Sequence, residues 1–295
     1  MYEKVKEKKP RKHLIHRRVN RSFGGDLAIF FILGIFGVFT ALPLYLVIIN
    51  SLKPLNELWI FPPRFYVSNP TFKNFTDIFT IVSDSTVPFS RYIFNTVFIT
   101  VAGTVAQIVI ASLCAYPLAK HPFPGHKFYF KMIYLSLMFS AAVTGIPNYI
   151  IVSSLGWIDT YWAILVPLCG STMGVYLMKQ FMEQINDAIL EAARIDGAGE
   201  FRIFFTVVMP QVKAAWLTLT VFSVQGLWSM GASPFIFSEQ LKTLNYALGQ
   251  IVSAGIARAG VAAAVMVVMM SVPIIVFLIT QSNVIETMAS SGVKE

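Results

Sequence analysis

Six stretches of eighteen residues or more, at about residues 27–49, 92–119, 128–152, 161–178, 214–237 and 261–281, carry almost no charge. A helix needs roughly 20 largely apolar residues to cross the ~30 Å hydrocarbon layer of a bilayer. Strands of a membrane barrel would instead read as alternating segments of about 10 residues. These stretches are continuous, so the pattern predicts an all-α membrane protein with six transmembrane helices. Composition agrees, since only 13% of the residues are charged, against about 25% in soluble domains, which argues against a cytosolic enzyme. Disorder is excluded by 25 Phe, 11 Tyr and 5 Trp, which would collapse in water. Cys114 and Cys169 both lie in apolar runs, so a disulfide scaffold is not expected.

Lysine and arginine are spread unevenly over the loops, and that bias sets orientation. Lys4, Lys6, Lys8, Lys9, Arg11, Lys12, Arg17, Arg18 and Arg21 fill the basic tail, residues 1–26. With the tail inside, an even number of spans also places Lys120, Lys127, Lys131, Lys179, Arg194, Arg202, Lys213 and Lys294 inside. Lys53, Arg64, Lys73, Arg91, Lys242 and Arg258 remain outside. The expectation is an N-in/C-in chain forming a single transmembrane domain over 27–295. The net charge of +8 then reads as topogenic, with anionic lipid rather than nucleic acid as its partner. The first apolar run is too long for a cleaved signal peptide and lacks an obvious small-residue cleavage site.

Two loops stand out. The outer loop, 50–91, is rich in Pro, Asn and aromatics; the inner loop, 183–213, is charged and has a helical pattern. The inner loop contains Glu191-Ala192-Ala193-Arg194-Ile195-Asp196-Gly197 and ends in Val207-Val208-Met209-Pro210. Glu191 is expected early in a short helix, where its charge complements the dipole. Ala192 and Ala193 leave one face flat enough for another backbone to approach. Gly197 can take backbone angles closed to other residues and so turn the chain. Phe201, Phe204 and Phe205 supply a second apolar face, and Pro210 ends it while fitting the first turn of the fifth span. Pattern alone gives an amphipathic helix–turn–helix beneath the membrane, and leaves open a helix that merely rests on lipid headgroups.

The spacing of this loop resembles the Glu-Ala-Ala loop of permease subunits in bacterial ATP-binding-cassette importers, with Val207 and Met209 where the family usually has Ile and Leu. Ser51-Leu52-Lys53, Asn69-Pro70-Thr71-Phe72, Ala115-Tyr116-Pro117-Leu118-Ala119-Lys120 and Phe123-Pro124-Gly125 resemble the carbohydrate-uptake branch, in particular the smaller permease of maltose-type systems and permeases for complex oligosaccharides. The resemblance implies a coupling helix, between the fourth and fifth spans, that sits in a groove of a cytoplasmic ATPase. Glu191, Ala192, Ala193 and Gly197 would touch that subunit, with Arg194 and Asp196 orienting the contact and Val207, Met209 and Pro210 completing the motif. It further implies a second homologous permease, two ATPase subunits, an extracellular or periplasmic solute-binding protein, and location in the bacterial cytoplasmic membrane. No G-x-x-x-x-G-K-[ST] run occurs in the sequence, so ATP and magnesium are expected in the partner ATPase, with no cofactor, no metal and no catalysis in this chain.

Ionisable residues inside spans mark ion or proton routes, and the first, second, fifth and sixth stretches contain none. His13, His16, His121 and His126 lie in expected loops without ligand spacing. A sugar path would use neutral polar and aromatic groups; Asn95, Gln107, Thr144, Asn148, Tyr149, Gln225, Trp228 and Ser229 are the candidates. The competing role for each is hydrogen bonding between helices. Pro147 beside Asn148 points to a broken helix, which is tolerated where it lines a cavity or is buried in protein. Gly170 and Gly174 read as a close helix crossing. In some relatives the other permease makes most sugar contacts. Trp59, Phe61, Tyr66 and Phe75 of the outer loop are expected to face the solute-binding protein. Two other functions compete: an importer permease for a non-sugar solute, and a membrane scaffold or sensor that binds lipid through its tail and amphipathic loop.

Overall fold

The computed structural model describes residues 23–83, 87–253 and 255–291. The tail cations Lys4 to Arg21, His13, His16 and Lys294 lie outside the described residues. The chain forms two compact units, Met1–Leu46 and Val47–Glu295. In the first, the described residues are helical and belong to α1 (Phe23–Leu52), which continues into the second unit. Leu27, Phe30, Phe31, Phe36 and Phe39 are all exposed, a state that water penalises and hydrocarbon accepts.

The second unit continues with α2 (Lys73–Ser83), α3 (Phe89–Lys120), α4 (His126–Ser136), α5 (Ala141–Ser154), α6 (Trp162–Cys169), α7 (Thr172–Glu183), α8 (Asp187–Ile195), α9 (Glu200–Gln211), α10 (Lys213–Trp228), α11 (Leu244–Ser253) and α12 (Ala259–Ser291). No strand occurs among the described residues. Four helical segments are long and apolar enough to cross a membrane: Gly24–Leu52, Phe89–Lys120, Trp162–Glu183 and Ala259–Ser282. Glu200–Gln211 and Lys213–Trp228, bent by 78° at Val212, make a fifth if the bent pair counts as one.

Two expected spans differ from the observed helices. The third, 128–152, is two helices of 11 and 14 residues, α4 and α5, parted at 137–140. At 1.5 Å per residue they measure about 17 and 21 Å, so neither alone covers ~30 Å of hydrocarbon. The break lies upstream of Gly145 and Pro147, because α5 restarts from extended backbone at Ser140 and carries Pro147 inside it. The fifth, expected over 214–237, leaves the helix at Ser229, ahead of Gly231 and Pro234.

α3 packs against α6, α7 and α10, and α10 packs in turn on α12. Small residues allow this. A Cβ on Gly103 would lie 2.8 Å from Leu227 Cδ1, and one on Gly174 would lie 3.1 Å from Ala111 Cβ. Gly174 therefore sits at the expected close crossing, whereas Gly170 lies in the break between α6 and α7. One apolar cluster joins Ala111, Ala115 and Tyr116 of α3 to Met178 and Met182 of α7, Leu190 of α8, and Phe204 and Val208 of α9. A second joins Ile78, Tyr92, Leu248 and Val265.

Segments far apart in sequence meet in the 50–91 loop. Asn74 donates to the carbonyls of Ser51 and Lys53, each at 2.8 Å, and Thr71 N donates to Leu52 O at 2.8 Å. Lys53 Nζ donates to Arg64 O at 2.6 Å. Glu57 accepts from the backbone of Ser68 and Asn69, bonds that hold its carboxyl below the ordinary range despite the opposing cost of burial. Trp59, Phe61 and Tyr66 are exposed, while Phe75 is half-buried against the second cluster.

Candidate coupling site

The 183–213 loop is a helix–turn–helix. α8 starts at Asp187, capped by Asn186, whose side chain accepts from Ala188 N at 3.0 Å. Asp187 is therefore the acid of the first turn, and Glu191, expected near the start, lies mid-helix. Leu190 is buried and Ala193 half-buried against the first cluster, while Glu191, Ala192 and Arg194 are exposed. Gly197 has φ +81°, and the amides of Gly197 and Ala198 donate to Arg194 O and Ala193 O, both at 3.0 Å. This pair of bonds, closed by a left-handed glycine, is the Schellman end of a helix. Asp196 is exposed at the C-cap.

α9 then runs from Glu200, with a π turn at Phe204–Val208. Such a turn inserts a residue into the helical ladder and rotates the residues beyond it about the helix axis. Phe204 and Val208 are buried, Val207 and Met209 are half-buried, and Pro210 is exposed just before the bend at Val212. Phe201 and Phe205 remain exposed. On either side of Gly197, Ile195 is 86% and Phe201 76% exposed.

Glu200, absent from the sequence candidates, is the hub that fixes this loop. Arg194 Nε donates to its Oε1 at 2.8 Å, Tyr116 OH donates to its Oε2 at 2.9 Å, and His121 Nε2 stands 3.3 Å from Oε2. The Arg194 bond, opposed by burial and supported by Tyr116, holds the Glu200 carboxyl below the ordinary carboxylate range. Lys120 reaches the start of the loop, with Nζ 2.6 Å from Ile185 O and 2.7 Å from Asp187 Oδ1. Tyr116 and Lys120 fall in a segment singled out by resemblance, but nothing in the sequence pairs them with residues 187 and 200.

The expected solute-path residues separate into groups. Asn95 is fully buried; its amide donates to Gln240 O at 2.8 Å and Lys242 O at 2.9 Å, and its carbonyl accepts from Tyr161 OH at 2.6 Å. Trp228 is buried and donates to Met269 O at 3.0 Å. Gln107 accepts from Ser223 Oγ at 2.6 Å. With Ser171, Phe222, Ser223, Gly226 and Met230 it lines a cavity of about 310 Å³ that has no ionisable residue in its wall. Thr144 and Gln225 are exposed and Asn148 half-exposed; Tyr149 stacks on Phe235 with ring centroids 6.1 Å apart. Among the described residues, no group of three His, Cys, Asp or Glu gathers to hold a metal ion.

A helical chain with several membrane-length apolar helices and a solvent-exposed amphipathic helix–turn–helix between two of them has the build of a polytopic membrane protein. The chain belongs to the family described as binding-protein-dependent transport system inner membrane component, which it matches over residues 107–288. Protein LplC of Bacillus subtilis (strain 168) is 32% identical over 223 residues, covering 74% of this chain and 71% of LplC. The polygalacturonan/rhamnogalacturonan transport system permease protein YtcP of the same organism is 28% identical over 210 residues, covering 71% and 70%. The sn-glycerol-3-phosphate transport system permease protein UgpE of Yersinia enterocolitica is 32% identical over 158 residues, covering 54% and 56%. Among solved structures, a bacterial ABC transporter involved in the import of the acidic polysaccharide alginate superposes with a TM-score of 0.74 at 23% identity, over 91% of this chain and 99% of its own. That likeness shows a shared fold.

Proposed function

We propose that the chain is a permease subunit of an ATP-driven importer that moves a carbohydrate, an oligosaccharide, across the bacterial cytoplasmic membrane. The observation that carries this reading is the exposed apolar pair Ile195 and Phe201 flanking the left-handed Gly197. A rigid apolar knob outside the spans calls for a protein partner, and in this family an ATPase is the partner at hand. Glu191, Ala192, Arg194 and Asp196 surround it. Two ATPase subunits hold ATP and magnesium and do the hydrolysis; this chain is no enzyme and takes no cofactor of its own. A second, homologous permease completes the path, and a solute-binding protein delivers the solute from outside. The reading has six spans, with α4 and α5 together making the third, and both termini in the cytoplasm.

Closure of the ATPase dimer moves the docked loops, and the spans rock between inward- and outward-facing states. The names of YtcP and of the alginate transporter support an oligosaccharide. The uncharged wall of the Gln107 cavity and the Tyr149–Phe235 ring stack suit hydroxyl-rich rings. UgpE, named for sn-glycerol 3-phosphate, keeps a phosphorylated polyol as the second reading.

The test is co-purification from cells that express the chain with the neighbouring permease and candidate ATPase, followed by vesicle uptake. The solute panel comprises oligogalacturonides, oligoalginates, maltodextrins and sn-glycerol 3-phosphate, each with its loaded binding protein. ATP-dependent uptake of one oligosaccharide is expected. Absence of any ATPase from the complex, or uptake indifferent to ATP, defeats the reading; uptake of the phosphate ester alone selects the second.

A further inference from the structure

We propose that α3 is a strut that carries conformational change between the ATPase-docking loop at one end and the 239–244 segment at the other, held to both by hydrogen bonds rather than by chain continuity. The proposal rests on the permease reading above. α3 has 32 residues, about 48 Å at 1.5 Å per residue, so it outreaches the ~30 Å hydrocarbon layer and presents side chains on both sides.

At its C-terminal end, Tyr116 binds Glu200, and Lys120 binds Ile185 O and Asp187, partners 84, 65 and 67 residues away in sequence. Tyr116 is buried, with its ring against those of His121 and Phe204 at 5.1 and 5.5 Å. The N-terminal end is fastened just as densely. Tyr92 OH donates to Glu239 Oε1 at 2.8 Å, Asn95 to Gln240 O and Lys242 O, and Arg91 Nε to Gln240 O at 3.1 Å. Leu244 N donates to Thr96 Oγ1 at 2.7 Å. Tyr92, Asn95 and Thr96 are buried, so their bonds are partly shielded from competing water, whereas the Arg91 bond is exposed.

The covalent route between the same two loops is α10, and it is jointed at both ends. Towards α9 the chain bends by 78° at Val212; towards Glu239 it leaves the helix at Ser229 and runs through non-helical backbone. A displacement of the docking loop can be absorbed at those joints. α3 is unbroken between its two sets of bonds, and its proline, Pro117, sits in the last turn. Movement of the docking loop therefore reaches 239–244 through α3. Reciprocity requires a load on 239–244 to alter the docking loop by the same coupling energy.

Tyr92→Phe and Tyr116→Phe each remove one hydroxyl at one end and keep the ring in place. The probe is Gln240→Cys in the assembled transporter with Cys114 and Cys169 replaced by serine, read as the rate of maleimide labelling before and after trapping with MgATP and vanadate. Trapping is expected to change that rate at least threefold in the parent. In either tyrosine variant the change should fall to less than half, and in Tyr92→Phe, at the end away from the docking loop, ATPase turnover and subunit stoichiometry should stay within twofold of the parent. The double variant should lose no more than the worse single, because both act on one connection. Labelling at 240 that ignores trapping in the parent, that still responds fully in both variants, or that falls multiplicatively in the double, overturns the strut. A parent complex with no ATPase bound defeats the permease reading and the strut with it; an assembled, hydrolysing complex with any of those labelling results defeats the strut alone.

Discussion

Replacing Gly197 isolates the backbone term of the turn between α8 and α9. Its φ is +81°, and nothing lies within 4 Å of the position a Cβ would take. Alanine therefore costs only the left-handed conformation, about 1–2 kcal/mol. Asparagine visits that region more readily and should cost less. Proline costs ~3 kcal/mol or more, since it fixes φ near −65° and removes the amide that donates to Arg194 O at 3.0 Å. If docking needs the native turn, each 1.4 kcal/mol appears as a tenfold loss of affinity. The expected order is Gly, Asn, Ala, Pro, with Ala weaker by about 5- to 30-fold and Pro by about 150-fold or more. The assay is titration of the purified permease pair against fluorescently labelled ATPase, with far-ultraviolet circular dichroism to confirm unchanged helix content. Alanine and proline variants that keep full helix content and bind within twofold of wild type would refute the reasoning, because the turn would then be irrelevant to the contact.

Other sites give separable outcomes. Glu191→Lys changes an exposed side chain and should leave thermal stability unaltered while weakening ATPase binding about tenfold or more through like-charge contact; unchanged co-purification would remove Glu191 from the interface. Gly174→Leu pushes into Ala111 Cβ and Leu219 Cδ2, 3.1 and 3.2 Å from the added Cβ, and should cost about 1–3 kcal/mol in detergent melting. Gly34→Ala meets nothing within 4 Å and should be neutral or slightly stabilising. Asn95→Leu removes three hydrogen bonds made by a fully buried side chain to half-buried or exposed partners, at roughly 0.5–1.5 kcal/mol each, so it should lower the melting temperature; Gln225→Ala, at an exposed side chain, should leave melting unchanged. The lowered Glu200 pKa means that its ties stabilise the loop above the ordinary value of 4.5 and are lost as pH falls through the lowered one. Pepsin cleavage at Phe201 and Phe205 should therefore rise with acidification below pH 4.5 in wild type, and Glu200→Gln should flatten that rise.

The long apolar helices were legible in the sequence because a bilayer imposes a length and an absence of charge, both of which can be read without knowing any neighbour. α1, α3, α6 with α7, and α12 match expected stretches for that reason. The third stretch misled because apolarity over 128–152 says nothing about continuity. Pro147 points to a break at its own position, yet the ladder parts at 137–140, where no glycine or proline stands. After Trp228 the reverse holds: the apolar Met230, Phe235, Ile236 and Phe237 prolong the stretch, although the helix has already ended ahead of Gly231 and Pro234.

The turn at Gly197 was legible because it is local: a glycine that must turn left leaves its mark at one position. The bonds that hold the turn were not, because Tyr116 and Glu200 meet across 84 residues, and only packing of α3 against α7 and α9 brings them together. Polar residues inside spans pose a sharper form of the same problem. Asparagine in an apolar helix announces that it has a partner, since hydrocarbon leaves it no alternative, but not whether the partner is solute or protein. At Asn95 all three bonds go to the chain's own atoms, and two of them grip backbone carbonyls of the 239–244 region. Both amide donors are spent in this way, and the remaining carbonyl lone pair belongs to a fully buried side chain that a sugar hydroxyl does not reach from solvent. Its contribution to transport must pass through the position of the segment it holds, so a binding defect at Asn95 should vanish wherever that segment is fixed by other means, whereas a defect at a true solute contact should persist.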